Sequence, residues 1–444
     1  MALDRNESKK LRLEENIPEP ISPIVSYGSV VLFSLLLILA GMNISSVAPF
    51  FPTEARERNI SVPTTGIIVA SLQISQGFFG FLFLFTVSDK QKIWFAYVGF
   101  VLSGLMCVIF SLSYHFNSKH LFVLWCSVTR ILIGMGGACK WATSAPILIP
   151  LFPNKAGIIF STLEVSANFG LMIGPPLSSW LYSLGGYKFP FIVMGATELF
   201  VGFLCFVATR SLQNRLPRQS SQQRQETEFS LKPALRFLSL PGVWAITLPF
   251  MVVLAQLGFL SVTLAPHLLD TFNIDGTKSG TIFLIHASMS TLTCFLYGYL
   301  LDKGYAKITF FICLALTSLG YFVLALPFVG FDHPKLTLYA GLSILGVSSN
   351  GGYLPCFFLF SEVGKRNKFA AEESLRICIF TWITASYSIA IVIGQYLVGG
   401  LFFSCFNFYQ SSLLLSGVTF LLATVAGIYV AISDANYKGE YKPL

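Results

Sequence analysis

Charged residues are scarce in this sequence. Asp, Glu, Lys and Arg make up 11% of the 444 residues, whereas a soluble domain carries about 25%. Hydrophobic residues make up 54%, and the mean hydropathy is +0.70. This much apolar surface exceeds what one water-soluble core buries, so the sequence predicts an all-α protein that crosses a membrane several times.

Catalytic and metal-binding motifs are also missing. The sequence contains no HExxH, GxSxG or GxxxxGKS/T pattern; the five His are dispersed, and the nine Cys form no CxxC pair. ATP-driven transport and hydrolysis therefore lack a site, and we predict a non-enzymatic protein without a metal or other cofactor. The net charge of +8 is spread over loops, so we predict no nucleic-acid partner.

Twelve apolar stretches are long enough to cross a bilayer core of about 30 Å, which takes about 20 helical residues. The N-terminal set, spans one to six, covers residues 27–50, 66–87, 93–115, 121–149, 157–184 and 189–209. The C-terminal set, spans seven to twelve, covers residues 243–268, 280–301, 308–328, 336–360, 375–403 and 409–433. Two sets of six spans are typical of secondary transporters.

One long polar stretch separates the two sets and predicts a flexible linker. The predicted organisation is a tail (1–25), a six-helix bundle (26–209), the linker (210–240), a second six-helix bundle (241–433) and a second tail (434–444). Most of the 29 Lys and Arg residues fall on the side of the tails and the linker. Because cytoplasmic loops are rich in these residues, we predict that both termini are cytoplasmic. We expect a monomer in a lipid bilayer.

Span five combines a carboxylate with a Gly/Pro break. The polar residues are Glu164 and Asn168, and the break contains Gly170, Gly174, Pro175 and Pro176. Ionisable side chains inside membrane segments are costly and face a cavity or a partner. Glycines four apart let two helices approach closely, and prolines bend a helix. We predict that span five is a mobile helix that lines a cavity.

Three other charges fall within the predicted spans of the N-terminal half. We predict that Glu164 is the proton-coupling residue, that Glu198 of span six is a second candidate, and that Arg130 lies in the substrate cavity beside Gly134. A fixed ion pair is the alternative for Glu164, a solvated position for Glu198, and an interface position for Arg130. For Lys140, which is nearer the end of span four, the interface position is favoured.

The C-terminal half supplies further candidates. Residues 349–352, Ser-Asn-Gly-Gly, predict an interruption of span ten, so that Asn350 contacts substrate or forms a gate; helix packing through small residues is the alternative. Trp382 and Tyr396 of span eleven are candidates for an aromatic cage around an organic cation. Gly298, Asp302 and Lys303 at the end of span eight predict a cap that locks this helix to a neighbour, with a solvated charge pair as the alternative.

These motifs resemble those of the major facilitator superfamily. RILIGMGGA (130–138) resembles its span-four motif, residues 170–176 its span-five antiporter motif, and residues 298–303 its second-half loop motif. Residues 49–52 (PFFP) and 151–195 resemble the vesicular amine transporters, solute carrier 18, and most of all their polyamine transporter branch. The resemblance implies two six-helix halves, alternating access and exchange of an amine for protons.

Three departures from the family pattern bear on the inside gate, through the loop motif, and on the substrate. The first-half loop motif lacks its glycine in FTVSDKQKIW (85–94). Span one carries no acid at about Leu39, where monoamine transporters have an aspartate, so a monoamine substrate is disfavoured. Gly394-Gln395 stands where the family has Gly-Pro.

The leading hypothesis is a proton-coupled antiporter for a small organic cation, an amine or polyamine, in an intracellular vesicle membrane or alternatively the plasma membrane. A facilitator or symporter for another solute, such as an organic anion drawn in by Arg130 and Lys140, is a second hypothesis. A third is a receptor-like protein that has lost transport.

Overall fold

The computed structural model describes residues 23–86, 92–148, 151–152, 156–210, 231–367 and 372–436, and the described chain is helical nearly throughout. Eleven of its helices are long and apolar enough to cross a membrane. The fifth long helix, Ala156–Gly185, has 30 residues and brings the number of spans to twelve. The predicted fold class, an all-α membrane protein with twelve spans, is confirmed.

The helices follow the predicted spans closely. Spans one to six are Pro23–Ser45, Val62–Thr86, Lys92–Phe110, Lys119–Leu148, Ala156–Gly185 and Lys188–Arg210. Spans seven to nine are Pro241–Phe272, Gly276–Asp302 and Ala306–Ala325, and span twelve is Phe408–Asn436. Shorter helical segments at Phe51–Glu57, Ser111–His115, Leu326–Val329 and Phe403–Cys405 lie between spans.

Spans ten and eleven each consist of two helical segments. Span ten is Pro334–Tyr353 followed by Cys356–Arg366. The predicted interruption at residues 349–352 is wrong, because the helix runs through them and breaks only at Leu354 and Pro355. The two glycines are tolerated because neighbours fill the space: Gly351 packs on Tyr297 and Cys313, and Gly352 on Val253. Span eleven is the α-helix Glu372–Val392 followed by the π-helix Ile393–Phe402.

The linker is only partly as predicted. Its last section forms the helix Leu231–Leu238, in which Phe237 is buried and packs edge-on against Phe360. A buried aromatic anchor explains why this section is ordered and why the expectation of a wholly flexible linker is wrong. Residues 211–230 of the linker lie outside the described residues.

The two halves repeat one packing scheme. Within the first half, span one packs against span five, span two against span four, and span three against spans four and six. The corresponding pairs of the second half are seven with eleven, eight with ten, and nine with ten and twelve. Between the halves, span five packs against span eight and span two against span eleven. These two pairings are equivalent under the repeat.

The linker connects the last residue of span six to the first residue of span seven, so these two helix ends lie on one side of the membrane. We call this side the linker side and the opposite side the far side. The contacts between the halves that we call the far-side seam lie near the far ends of spans two, five, eight and eleven. Ser179 donates to the carbonyl of Gly276 at 2.8 Å, and Ser279 donates to the carbonyl of Pro49 at 2.8 Å. Gly66 packs directly on the backbone of Gln395.

Candidate functional site

A buried ion pair lies at the centre of the first half. The Glu198 carboxylate of span six is 2.5 Å from Nζ of Lys140 in span four, and both side chains are 1% exposed or less. Asn43 of span one donates to the second carboxylate oxygen at 2.8 Å, and Ser103 of span three donates to the first. We call these four residues the four-helix network, because they tie together spans one, three, four and six.

The network corrects the prediction for Lys140. An interface position is wrong, since the ammonium group is fully buried and donates to Glu198 and, at 3.0 Å, to Ser103. Gly136, one turn before Lys140, lets span three approach: a methyl group there would lie 2.9 Å from the backbone nitrogen of Ser103. For Glu198, the alternative of a solvated position is wrong, because its side chain is fully buried.

Arg130 lies beside the network, and among the described residues its hydrogen-bond partners are backbone carbonyls rather than carboxylates. Its guanidinium donates to the backbone carbonyl oxygens of Asn43 and Val69, each at 3.1 Å, and the residue is 3% exposed. The interface alternative is therefore wrong. Backbone carbonyls satisfy part of the charge, and Arg130 thereby joins span four to spans one and two. Gly134 makes this possible, because its missing side chain lets span two pack on span four at Leu72.

The glycines of span five let it pack closely against span one, a partner that the sequence did not indicate. A methyl group at Gly170 would meet the carbonyl of Ile38, and one at Gly174 would meet Met42 and Ser45. Gly41 of span one lies in the same way against Ala167. Pro175 and Pro176 lie inside one continuous helix.

A second face of span five points to the other half. Positions 164, 168, 175 and 179 are spaced by four, seven and four residues, so they share one stripe of the helix. At its far end, Ser179 bonds to Gly276 of span eight, and Pro175 abuts Gly280. Asn168 is partly buried. The exposed residues Val165, Phe169 and Trp180 occupy a different face.

The helical register gives the position of residue 164 along span five. This position belongs to the stripe that contacts span eight at its far end, and it lies about three turns before Pro175, toward the linker side. Its side chain lies outside the described residues. The predicted proton-coupling role of Glu164 stays a prediction.

The second half contains a polar cluster that the sequence only partly indicated. Asn350 donates to the carbonyl and the hydroxyl of Ser290 at 2.8 and 3.0 Å. Next to it, Gln256 donates to Ser349 at 2.6 Å, and Ser349 lies 3.3 Å from Nε2 of His286. Gln256 and His286 were not predicted. The sequence shows Gln256 and His286 as isolated polar residues in spans seven and eight. It does not show how each helix is rotated about its axis, so it could not predict that these side chains lie close together.

The two aromatic candidates of span eleven do not form one cage. Trp382 donates to Thr247 at 2.8 Å and stacks edge-on against Trp244. Tyr396 lies partly buried in the π-helix, fourteen residues further on, which corresponds to about 20 Å along a helix. The two rings are therefore too far apart along span eleven to share one cage, and a role for either ring alone stays a prediction.

The loop motif at the end of span eight is exposed. The helix ends at Asp302, and both Asp302 and Lys303 are exposed to solvent. Lys303 lies over the ring of Tyr299 of its own helix, with Nζ 5.7 Å from the ring centre. A methyl group at Gly298 would meet nothing within 4 Å. In this conformation the solvated alternative therefore fits better than the predicted lock.

Twelve spans in two similar halves, with charged groups buried between helices, define a secondary transporter fold. Residues 33–367 match the family model of the Major Facilitator Superfamily, and the chain belongs to that superfamily. It is thus an integral membrane transporter and not an enzyme.

The sequence relatives lie within one family. The chain is 26% identical to the human MFS-type transporter SLC18B1 over 389 residues, which cover 86% of this chain and 81% of the relative. It is 25% identical to the rat MFS-type transporter SLC18B1, with 81% and 76% covered. The resemblance to solute carrier 18 is confirmed.

Solved structures with the same fold are more distant in sequence. A bacterial homolog of the human lysosomal transporter Spinster, inward-facing and unoccupied, has a TM-score of 0.69 at 14% identity, with 96% of this chain and 100% of that chain covered. The nucleoside transporter NupG has a TM-score of 0.65 at 11% identity, with 94% and 100% covered.

Proposed function

We propose that this transporter exchanges a small organic cation, an amine or polyamine, for protons, with Glu164 as the proton-coupling residue. The observation that carries the proposal is the register of span five. Position 164 belongs to the stripe of span five whose far end, at Pro175 and Ser179, contacts span eight, and the interface between the halves must open and close during transport. Similarity to SLC18B1, a member of the vesicular amine transporter family by sequence, supports an amine as cargo.

Alternating access supplies the coupling. The far-side seam consists of helix contacts through glycines and a few hydrogen bonds, which can separate without unfolding either half. A closed far side agrees with the inward-facing state of the Spinster homolog, if the linker side is the cytoplasmic side. The excess of Lys and Arg on the linker side supports that orientation, and the family resemblance supports a vesicle membrane.

Uptake by proteoliposomes under an imposed pH gradient tests the role of Glu164. Glu164→Gln keeps the size of the side chain and removes its charge, so gradient-driven amine uptake should be lost while exchange of amine for amine persists. Glu57→Gln, which alters an exposed far-side acid, is the matched control and should leave uptake unchanged. Full gradient-driven uptake by Glu164→Gln would remove this residue from the mechanism.

Glu198 has a different role in this proposal. Its carboxylate is satisfied by Lys140, Asn43 and Ser103 within the protein, so we assign it to bracing the first half. Proton exchange at Glu198 would require this pair to separate during the cycle.

The charges of the described residues also favour an alternative cargo. Arg130 and Lys140 are both buried in the first half, and two buried cations would attract an organic anion. A counterflow panel of amines, polyamines and organic anions distinguishes the two cargos. If the purified protein is thermally stabilised by none of them, the receptor-like alternative gains support.

A further inference from the structure

We propose that His267, near the far end of span seven, is a second proton-binding residue, whose protonation releases the far-side seam. This inference rests on the proposed function, because it names how protons on the far side would act on the same cycle. It concerns a residue outside the four-helix network and outside the stripe of Glu164.

Beside the far-side seam, one ion pair among the described residues joins the two halves near His267. Nη1 of Arg56, in the helix Phe51–Glu57 of the first half, lies 2.7 Å from both carboxylate oxygens of Asp270 in span seven. The two side chains are 59% and 53% exposed. An exposed pair contributes little stability, so a competing charge next to it can displace it.

His267 occupies an apolar slot one turn before Asp270. Its ring stacks on Phe408 at 4.1 Å and nearly parallel, and it meets the edge of Tyr409 at 5.0 Å. Nδ1 lies 3.2 Å from the hydroxyl of Thr271. Nε2 is buried and has no hydrogen-bond partner among the described residues. In this conformation the slot therefore satisfies only one of the two ring nitrogens.

The charged groups around the slot define what a protonated ring would do. Asp270 is the charged residue one turn further along the same helix, while Thr271, Phe408 and Tyr409 are uncharged contacts. On the helix Phe51–Glu57, Arg56 is bound to Asp270, Glu54 is turned toward Arg58 and Tyr182, and Glu57 is exposed. At the start of span ten, His333 and Lys335 are exposed.

Protonation of His267 makes both ring nitrogens donors. The second N–H then lacks an acceptor inside the slot, and a buried charged donor without a partner is costly. Asp270 is three positions further along the same helix, a spacing at which side chains meet. The protonated ring therefore leaves the slot and pairs with Asp270, and Arg56 loses its partner across the seam.

The consequence is a seam that opens in acid. When one proton binds only the open state, the ratio of open to closed states rises by up to about tenfold for each pH unit lost. A proton taken up from an acidic compartment on the far side would thus open the carrier toward that compartment, where the cargo is released.

Spin-label distances across the seam test this inference without any transport assay. Labels are placed on cysteines at Asn117 and Asp332, exposed far-side positions of the two halves, in a protein with Cys294→Ala and Cys405→Ser. Between about pH 7.5 and pH 5.5, the range in which histidine commonly titrates, the ratio of the long-distance to the short-distance population should rise by roughly tenfold or more. His267→Gln, which retains a polar contact to Thr271, should abolish this rise.

Two further variants complete the design. His333→Gln removes an exposed far-side histidine and should leave the acid response intact. Asp270→Asn should raise the ratio of open to closed states at neutral pH by up to about fivefold, because an exposed pair is worth at most about 1 kcal/mol, and it should remove most of the further response to acid. The inference is overturned if His267→Gln opens in acid like the parent, or if the parent does not respond to pH. If the parent protein showed no amine uptake, this result would instead contradict the proposed function.

Discussion

Removing one member of the Lys140–Glu198 pair leaves the other as an uncompensated charge in a site without access to water. We expect Lys140→Met to lower the free energy of unfolding by about 3–5 kcal/mol, because breaking a buried pair costs far more than replacing it. Denaturant unfolding of the purified protein in detergent measures this change.

The exposed pair on the far side is the matched control for this prediction. Asp270→Asn should cost about 0–1 kcal/mol, since both side chains are more than half exposed. The double variant Lys140→Met with Glu198→Gln should recover much of the loss, because the amide can still accept from Ser103. A Lys140→Met protein as stable as the parent would contradict the ion pair.

The sequence could identify these charges but not their partners. Arg130, Lys140 and Glu198 stand out because charges inside apolar spans are rare. Their pairing depends on how spans three, four and six rotate about their axes, and a local pattern does not determine that rotation. For this reason only the structure reveals that Arg130 donates to backbone carbonyls and that Lys140 pairs with Glu198.

Among the helices, the glycines of the family motifs have two different physical roles. Gly170 lies in contact with the carbonyl of Ile38, whereas Gly298 faces open space. We expect Gly170→Ala to destabilise the protein by about 1–3 kcal/mol, because the added methyl group forces spans one and five apart. Thermal unfolding and the yield of monodisperse protein measure the effect.

Gly298→Ala serves as the control from the same set of motifs. The substitution should be neutral or should stabilise span eight by about 0.5–1 kcal/mol, because alanine favours a helix more than glycine does. If Gly298→Ala proves as damaging as Gly170→Ala, then Gly298 is packed in a conformation other than this one.

The sequence predicted the spans, with ends correct to within a few residues, but it did not predict where the helices are interrupted. Apolar length predicts a span because the bilayer thickness sets it. Glycines at 351 and 352 suggested a break in span ten, yet Tyr297, Cys313 and Val253 fill the space beside them and the helix continues. The order of Leu231–Leu238 likewise depends on Phe360, a residue more than one hundred positions away.

For the molecule as a whole, the repeat predicts that two glycines close the far side in equivalent ways. Gly66 at the start of span two lies against Gln395 and Gly400 of span eleven, and Gly280 at the start of span eight lies against Pro175 and Ser179 of span five. A larger side chain at either position cannot fit while the seam is closed. A larger side chain at either site therefore disfavours the same conformation, the one with a closed far side.

We expect Gly66→Leu and Gly280→Leu each to disfavour the closed far side by about 1–3 kcal/mol, which corresponds to roughly 5- to 150-fold in the equilibrium. The distance between spin labels at Asn117 and Asp332 should lengthen in both variants, and the two effects should add because the sites lie in separate helix pairs.

Gly417→Leu, at a position in span twelve with nothing within 4 Å, should leave the distance unchanged. A shift in only one of the two seam variants would mean that span five with eight and span two with eleven do not close together, and alternating access would then need an asymmetric hinge.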